Sequence, residues 1–289
     1  MTGPSTTADV PWLSGQDLLD EIAHTCTQPG SLAFWHIGQS GFFVKGGDTT
    51  MLFDPYLKPS DRRTFAPPVS PAQITAVDYV LCTHAHGDHL DEFAVEGIAR
   101  AAPGARFVVP PAAVQQMAEL GIAPERILAA AVDEETTLGP LTMRAVPAAH
   151  GDQSTPVAEY VWEPHPERGY RFLGFVVDLN GVRVYHAGDT TIFPGMVDRL
   201  KPLGIDVALL PINGRDWFRE QRGVIGNMDY REAADLGHAI GADIIVPMHY
   251  DMFAGNPGSP GLFVDYCAAT YPGQGFHIPI RAKRWLHLK

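Results

Sequence analysis

Past Gly30 the chain reads as short apolar runs separated by Gly, Pro and Asp. Runs of that length predict strands, because buried strands carry side chains into apolar surroundings on both faces. Strands are predicted over residues 32–37, 42–45, 50–53, 78–83, 106–109, 141–146, 170–178, 183–186, 206–210 and 243–247. Helical stretches fall between several of them. Residues 111–120, begun by prolines and ended by Gly121, predict one helix. Residues 229–240 predict another, with Asn227 or Met228 near its start and Gly241 past its end. Ahead of the first strand, Ser14 reads as the N-cap of a short helix, SGQDLLDEIAHTC, with Leu18, Leu19, Ile22, Ala23 and Cys26 on one face. Residues 1–11 are small and polar with two prolines and read as a loose tail.

The first strands follow one another like a meander and the later ones alternate with helices. That mixture predicts sheets covered by helices rather than a pure doubly wound sheet. Residues 1–30 are read as a tail and short helix, and residues 31–289 as a single domain. A chain of 289 residues buries roughly three quarters of its unfolded surface and needs no staple. Two loops rich in Gly and Pro, residues 54–71 and 254–261, are long enough to form rims or lids.

Charge narrows the partners. The 21 Lys and Arg against 33 Asp and Glu leave −12, which argues against a nucleic acid or an anionic membrane surface as partner. A small anionic substrate, needing only a local basic patch, stays open. Cys26, Cys82 and Cys267 lie too far apart for a CxxC zinc clamp and are odd in number, so no disulfide framework is expected. The first ten residues hold no Lys or Arg and no apolar core of a secretory signal, and no stretch of 18 apolar residues occurs. The expected compartment is the cytoplasm.

The chemistry is concentrated at strand ends. The strand before Leu81 runs directly into Cys82-Thr83-His84-Ala85-His86-Gly87-Asp88-His89. A tight turn through Gly87 can present four ligands, His84 and His86 to one metal and Asp88 and His89 to a second. Neutral imidazoles with a carboxylate suit Zn, Mn or Fe. Burying such a group without a metal is costly. Three further strands end in candidate ligands: Ala145-Val146-Pro147-Ala148-Ala149-His150, Tyr185-His186-Ala187-Gly188-Asp189-Thr190 and Val246-Pro247-Met248-His249. Each is weak alone, since a histidine after a strand is commonly a bonded loop residue; in this order they reinforce one another.

The set is similar to the metallo-β-lactamase superfamily over roughly residues 32–286. The resemblance implies an α/β (α+β) fold, a four-layer αββα sandwich of two mixed β-sheets flanked by helices, with two divalent ions at one sheet edge. It implies that His84, His86 and His150 hold the first ion, that Asp88, His89 and His249 hold the second, and that Asp189 bridges both. Asp54, in Phe53-Asp54-Pro55, matches an early Asp that supports the ligand loop from behind, and His186 at most does the same. Ile37-Gly38-Gln39-Ser40-Gly41-Phe42, Asn213-Gly214-Arg215-Asp216-Trp217 and Pro247-Met248-His249-Tyr250-Asp251 narrow the resemblance to the L-ascorbate-6-phosphate lactonase family. Other branches fit less well. One carries Glu where this chain has His86, and another carries Cys near the Asp189 position.

The resemblance implies a metal-dependent hydrolase in which a hydroxide bridging two ions (Zn or Mn, with Fe also compatible) opens a lactone or ester. A phosphorylated sugar lactone is one candidate substrate. Asp88 is expected to take up a proton as well as to bind metal. No Ser or Cys nucleophile is required. Arg215, Trp217, Arg219 and Arg222, after the strand over 206–210, and Tyr250, after His249, are candidate substrate contacts, with ordinary surface charge an equal reading of the arginines. Arg62 and Arg63 are placed to close over the site from the opposite rim, and His36 is expected in the core. The alternatives are a phosphodiesterase for small or cyclic nucleotides on the same two ions and, further off, a non-catalytic metal-binding protein. The partner expected is a small molecule, and the resemblance admits a homo-oligomer.

Overall fold

The computed structural model describes residues 12–151 and 160–289, so the tail read over residues 1–11 lies outside the described residues. The first half of the chain runs α1 (Gly15–His24), β1 (Ser31–Gly38), β2 (Gly41–Gly46), β3 (Thr49–Phe53), β4 (Tyr79–Leu81), α2 (Glu92–Ala101), β5 (Arg106–Val109), α3 (Val114–Glu119) and β6 (Ile127–Ala129). The second half runs β7 (Glu135–Leu138), β8 (Leu141–Pro147), β9 (Leu173–Leu179), β10 (Val182–His186), α4 (Met196–Leu200), β11 (Val207–Pro211), α5 (Trp217–Glu220), α6 (Tyr230–Ala239), β12 (Ile244–Met248), α7 (Pro260–Thr270), β13 (Gly275–Phe276) and β14 (Trp285–Leu288).

The strands form two seven-stranded sheets, ordered β14-β1-β2-β3-β4-β5-β6 and β13-β12-β11-β10-β9-β8-β7. Both are mixed. The first is antiparallel from β14 to β3 and parallel from β3 to β6. The second is parallel from β13 to β10 and antiparallel from β10 to β7. Strand pleating sends alternate side chains to opposite faces, and β1 shows the result. Leu32 and Phe34 enter the core between the sheets, while Ala33 and Trp35 enter a second core under α1, α2 and α3. Ala233, Ala234 and Leu236 of α6 and Phe263 and Cys267 of α7 belong to the first core and cover the outside of the second sheet. This is the four-layer sandwich expected. No helix among the described residues is long and apolar enough to cross a membrane.

All ten predicted strands are present, with ends shifted by at most three residues; the segment over 170–178 starts as a strand only at Leu173. The first helix ends at His24, so Ala23 and Cys26 are exposed and Leu18 and Ile22 carry its burial. The helix over 229–240 starts one residue later than predicted, because Asp229 caps it by accepting from the Arg231 and Glu232 N–H groups. The stretch over 111–120 is a 3-10 turn, Pro111–Ala113, leading into α3.

Candidate metal centre

The seven expected ligands meet at one end of the sandwich because every strand that carries them finishes there. The loop after β4 delivers His84, His86, Asp88 and His89, while β8, β10 and β12 run in one direction and deliver His150, Asp189 and His249. Three overlapping groups have ligating atoms within 4.8 Å of one another: His84, His86 and His150; His84, His89 and Asp189; Asp88, His89 and His249. His86 Nδ1 lies 3.0 Å from His84 Nε2 and 3.3 Å from His150 Nε2. Asp189 reaches across the groups, with Oδ1 3.2 Å from His89 Nε2 and Oδ2 3.2 Å from His249 Nε2 and 3.6 Å from His150 Nε2. Asp88 Oδ2 lies 3.5 Å from His249 Nε2 and 3.6 Å from His89 Nε2.

The buried His89 Nε2 and Asp189 Oδ1 face each other at 3.2 Å without the alignment of a hydrogen bond, and neither has a hydrogen-bond partner elsewhere. Buried polar atoms are ordinarily bonded, and a divalent cation at this position would satisfy both. The donor set, imidazole nitrogens with carboxylate oxygens, fits Zn, Mn or Fe.

The ligands are braced from behind. Asp54 is fully buried, and its carboxylate accepts from Thr83 N (2.8 Å) and Thr83 Oγ1 (2.7 Å) and pairs with His89 Nδ1 at 2.7 Å. A carboxylate on Nδ1 keeps the proton there and leaves Nε2 facing the site. The Thr83 hydroxyl also lies 3.1 Å from His84 Nδ1. On the other sheet, Ala149 N donates to Thr190 Oγ1 at 2.9 Å, tying the approach to His150 to the residue after Asp189. Three residues here hold left-handed backbones, Gln39 at φ 57°, Asp54 at φ 38° and His249 at φ 57°. For residues other than Gly this conformation is uncommon and marks a backbone held by its surroundings.

Electrostatics divide the cluster. Burial pushes the His84 imidazole well below its ordinary value, and His89 and His86 push the same way. Burial likewise brings His150 down to about 3 against the pull of Asp189. For His89 and His249, burial opposes the charge but the Asp189 and Asp88 carboxylates outweigh it, holding His89 well above its usual range and His249 at about 9. Burial would raise Asp88 and Asp189, yet the two imidazoles hold both carboxyls below their normal value. The charged half thus collects around Asp189, where a cation can replace protons.

The other expected residues are placed as follows. His186 is stacked on Phe53 and its Nε2 lies 2.8 Å from Ser40 O, while Gly188 N donates to its Nδ1; it shapes the turn into Asp189. Arg215 makes two contacts to the Glu232 carboxylate, at 2.6 and 2.8 Å, and donates to Asn227 O. Arg219 is held by Asp216, Asn213 O and Asn256 Oδ1. Arg222 is exposed. Trp217 and Phe218 of α5 stand 64% and 71% exposed, ring edge to ring face. Their segment borders the site, since Met228 N donates to Thr190 O and Glu220 accepts from Tyr160 OH close to the His150–Val161 bridge. Tyr250 is half-buried against the core, its ring 6.2 Å from that of the buried His36. Arg63 corrects the picture of a closing rim. It is buried and donates to Tyr56 O and Phe65 O, leaving only Arg62 exposed.

Two contributors escaped the sequence. Phe172 packs its ring 5.3–5.9 Å from those of His84, His86 and His150, walling the three histidines with apolar surface. Gln39, quoted above only as part of a motif, places its amide nitrogen 2.7 Å from Asp88 Oδ2 and 2.9 Å from His249 Nε2.

Comparison with known proteins agrees with this geometry. A family model described as the Beta-lactamase superfamily domain matches residues 49–250. A UPF0173 metal-dependent hydrolase of Alkaliphilus metalliredigens is 30% identical over 232 residues, 79% of this chain and 89% of that protein. A second, TK0141 of Thermococcus kodakarensis, is 34% identical over 224 residues, 74% of this chain and 83% of that protein. Among solved structures, Igni18, a metallo hydrolase of the archaeon Ignicoccus hospitalis, matches with a TM-score of 0.68 at 23% identity, covering 90% of this chain and 99% of that one; the likeness shows a shared fold. Matched over most of its length by both the domain model and these relatives, the chain belongs to the metallo-β-lactamase superfamily and, within it, to the UPF0173 metal-dependent hydrolase family.

Proposed function

We propose that this metal-dependent hydrolase opens a lactone or similar ester of a small molecule, with phosphorylated sugar lactones as the first candidates. In this reading His84, His86 and His150 hold one divalent ion, Asp88, His89 and His249 hold a second, and Asp189 serves both. Bound there, divalent ions polarise a carbonyl and bring the pKa of water toward about 7. The observation that carries the reading is the fusion of three His/Asp groups around Asp189, with His89 Nε2 and Asp189 Oδ1 buried and unbonded.

The chain's own residues supply the rest. Asp88 has a side chain 25% exposed, whereas those of His89, His249 and Asp189 are nearly closed off from solvent. It is therefore the carboxylate of the cluster that an incoming substrate meets, and it takes up the proton set free as the ester opens. Phe172 excludes water behind His84, His86 and His150. Trp217 and Phe218 offer an apolar lip for the body of the substrate. Arg215 and Arg219 are already paired with Glu232 and Asp216, so recognition of a phosphate falls to the exposed Arg222 and, from the opposite rim, Arg62. The lactone itself rests on the motif resemblance, because the relatives are named only as metal-dependent hydrolases.

The test is turnover by protein reconstituted with Mn or Zn, following acid release from a panel of sugar lactones beside an aryl phosphodiester. Lactone opening with little phosphodiester cleavage supports the reading. The reverse replaces it with a phosphodiesterase.

A further inference from the structure

The two candidate ion positions are not built alike. The His84, His86 and His150 group is made of imidazoles, with the Thr83 hydroxyl 3.1 Å from His84 Nδ1. The Asp88, His89 and His249 group has a side-chain amide set into it, that of Gln39, reaching from the β1–β2 turn across 49 and 210 residues of sequence. We propose that Gln39 is a positioning residue for the second ion: its amide holds Asp88 while its backbone carbonyl holds His249 N, so that affinity at the Asp88–His89–His249 position depends on Gln39 while affinity at the His84–His86–His150 position does not. The proposal rests on the two-ion reading above.

Asp88 needs such a hold. It follows Gly87 in a loop, is the partly exposed carboxylate of the cluster, and among the described residues its partners are Gln39, His89 and His249. The two histidines are themselves candidate ligands, so Gln39 is the one partner outside the ligand set. Its contact is an amide N–H on a carboxylate, a charge-assisted bond of the stronger kind.

Gln39 is in turn fixed from several directions. Its backbone N donates to Asp251 Oδ1 at 3.1 Å, and Asp251 Oδ2 is gripped by Arg281 at 2.6 Å. Its carbonyl accepts from His249 N at 2.8 Å and lies 3.1 Å from His36 Nε2. The preceding Gly38, at φ 101°, has no room for a Cβ, which would fall 2.4 Å from the Phe65 ring. The left-handed backbone of Gln39 is thus held by partners on both sides, and its side chain starts from a defined place. Because the His249 amide and imidazole both meet Gln39, one residue sets the relation of His249 to Asp88 across the two sheets.

The experiment is a stepwise Zn titration of chelator-stripped protein against a chromophoric competitor, which resolves two equivalents without any turnover. Gln39→Asn suits the left-handed backbone, where Asn is among the better tolerated residues, but its arm is one methylene too short. Gln39→Met keeps the length and removes the donor. Both variants should lose at least tenfold in affinity for one equivalent, the scale of a lost ligand-orienting contact, and bind the other within about twofold of the parent. Circular dichroism checks that the fold is kept. Unchanged binding of both equivalents overturns the proposal. Parallel weakening of both overturns it too, because a merely structural role would act on both. If the parent itself binds fewer than two ions, the two-ion reading fails and the proposal with it.

Discussion

Replacing Asp54 by Asn tests the bracing of the candidate metal centre at its most sensitive point. The two side chains have the same shape, and Asn tolerates the left-handed backbone of this position at least as well. What changes is polarity. Asn can still accept from Thr83 N, but an NH2 group then faces both Thr83 Oγ1 and His89 Nδ1, now 2.7 Å from a carboxylate oxygen. The hydroxyl can turn and accept. The imidazole cannot keep a proton on Nδ1 opposite a donor, so the one proton it retains sits on Nε2, the atom aimed at Asp189. Losing one charge-assisted bond in a buried setting costs about 1.5–3 kcal/mol. At roughly 2 °C per kcal/mol for a chain of this size, the metal-free protein should melt about 3–6 °C lower. Blocking Nε2 should weaken metal binding by about 10–100-fold. Differential scanning calorimetry and a chelator-competition titration measure the two effects. Parent-like affinity with a melting point within about 1 °C of the parent would refute the tautomer argument.

Other perturbations probe different parts of the chain. Asp189→Ala should abolish turnover and lower metal content measured by elemental analysis; two bound ions with full activity would overturn the ligand assignment. Excess EDTA followed by desalting should remove activity, and Zn or Mn should restore it. Gly188→Ala, at φ 61° with its new Cβ 2.9 Å from Leu173 O and 2.7 Å from Thr83 Cβ, should cost more than about 2 kcal/mol in urea melts, counting the left-handed strain and the clash. Burial lowers the His36 imidazole against the opposing Asp251. The unfolded chain therefore takes up a proton near pH 6.5 that the folded chain refuses, and stability drawn from His36 is lost as pH falls through that value. His36→Gln, which still offers a donor to Gln39 O, should gain on the parent between pH 7.5 and 5.5, and a constant difference would refute the burial argument.

The sandwich was legible because buried strands leave a plain trace. In Leu32-Ala33-Phe34-Trp35 both faces are apolar, one toward the facing sheet and one toward α1 and α2. The strands that escaped lack this trace: β7 is the polar edge sequence ETTL, β6 is three partly exposed residues, β13 is two residues long, and β14 is an edge strand with Leu286 and Leu288 exposed. α2 went unread although Ala94, Val95, Ile98 and Ala99 mark its buried side, because it follows directly on the ligand motif. The seven candidate ligands were readable because each lies in a loop that opens at the end of a strand. Gln39 and Phe172 were not, since their contacts join segments far apart in sequence and no local spacing encodes them. Arg215 and Arg219 looked available for a substrate because Glu232, Asn227 and Asn256 come to them only through folding.

The division of ligands between the sheets has a mechanical meaning. Each of the three candidate groups takes two residues from the loop after β4 and one from the opposite sheet, His150, Asp189 or His249. An ion in any of them is a reversible crosslink across the seam of the sandwich, doing by coordination what a disulfide does covalently. At a free ion concentration one hundred times Kd, such a link adds about 2.7 kcal/mol to the folded state. A metal-starved chain would part first at this mouth, while the helix-covered outer layers stay closed. Its resistance to proteolysis would then follow the metal supply around it, apart from any effect on catalysis.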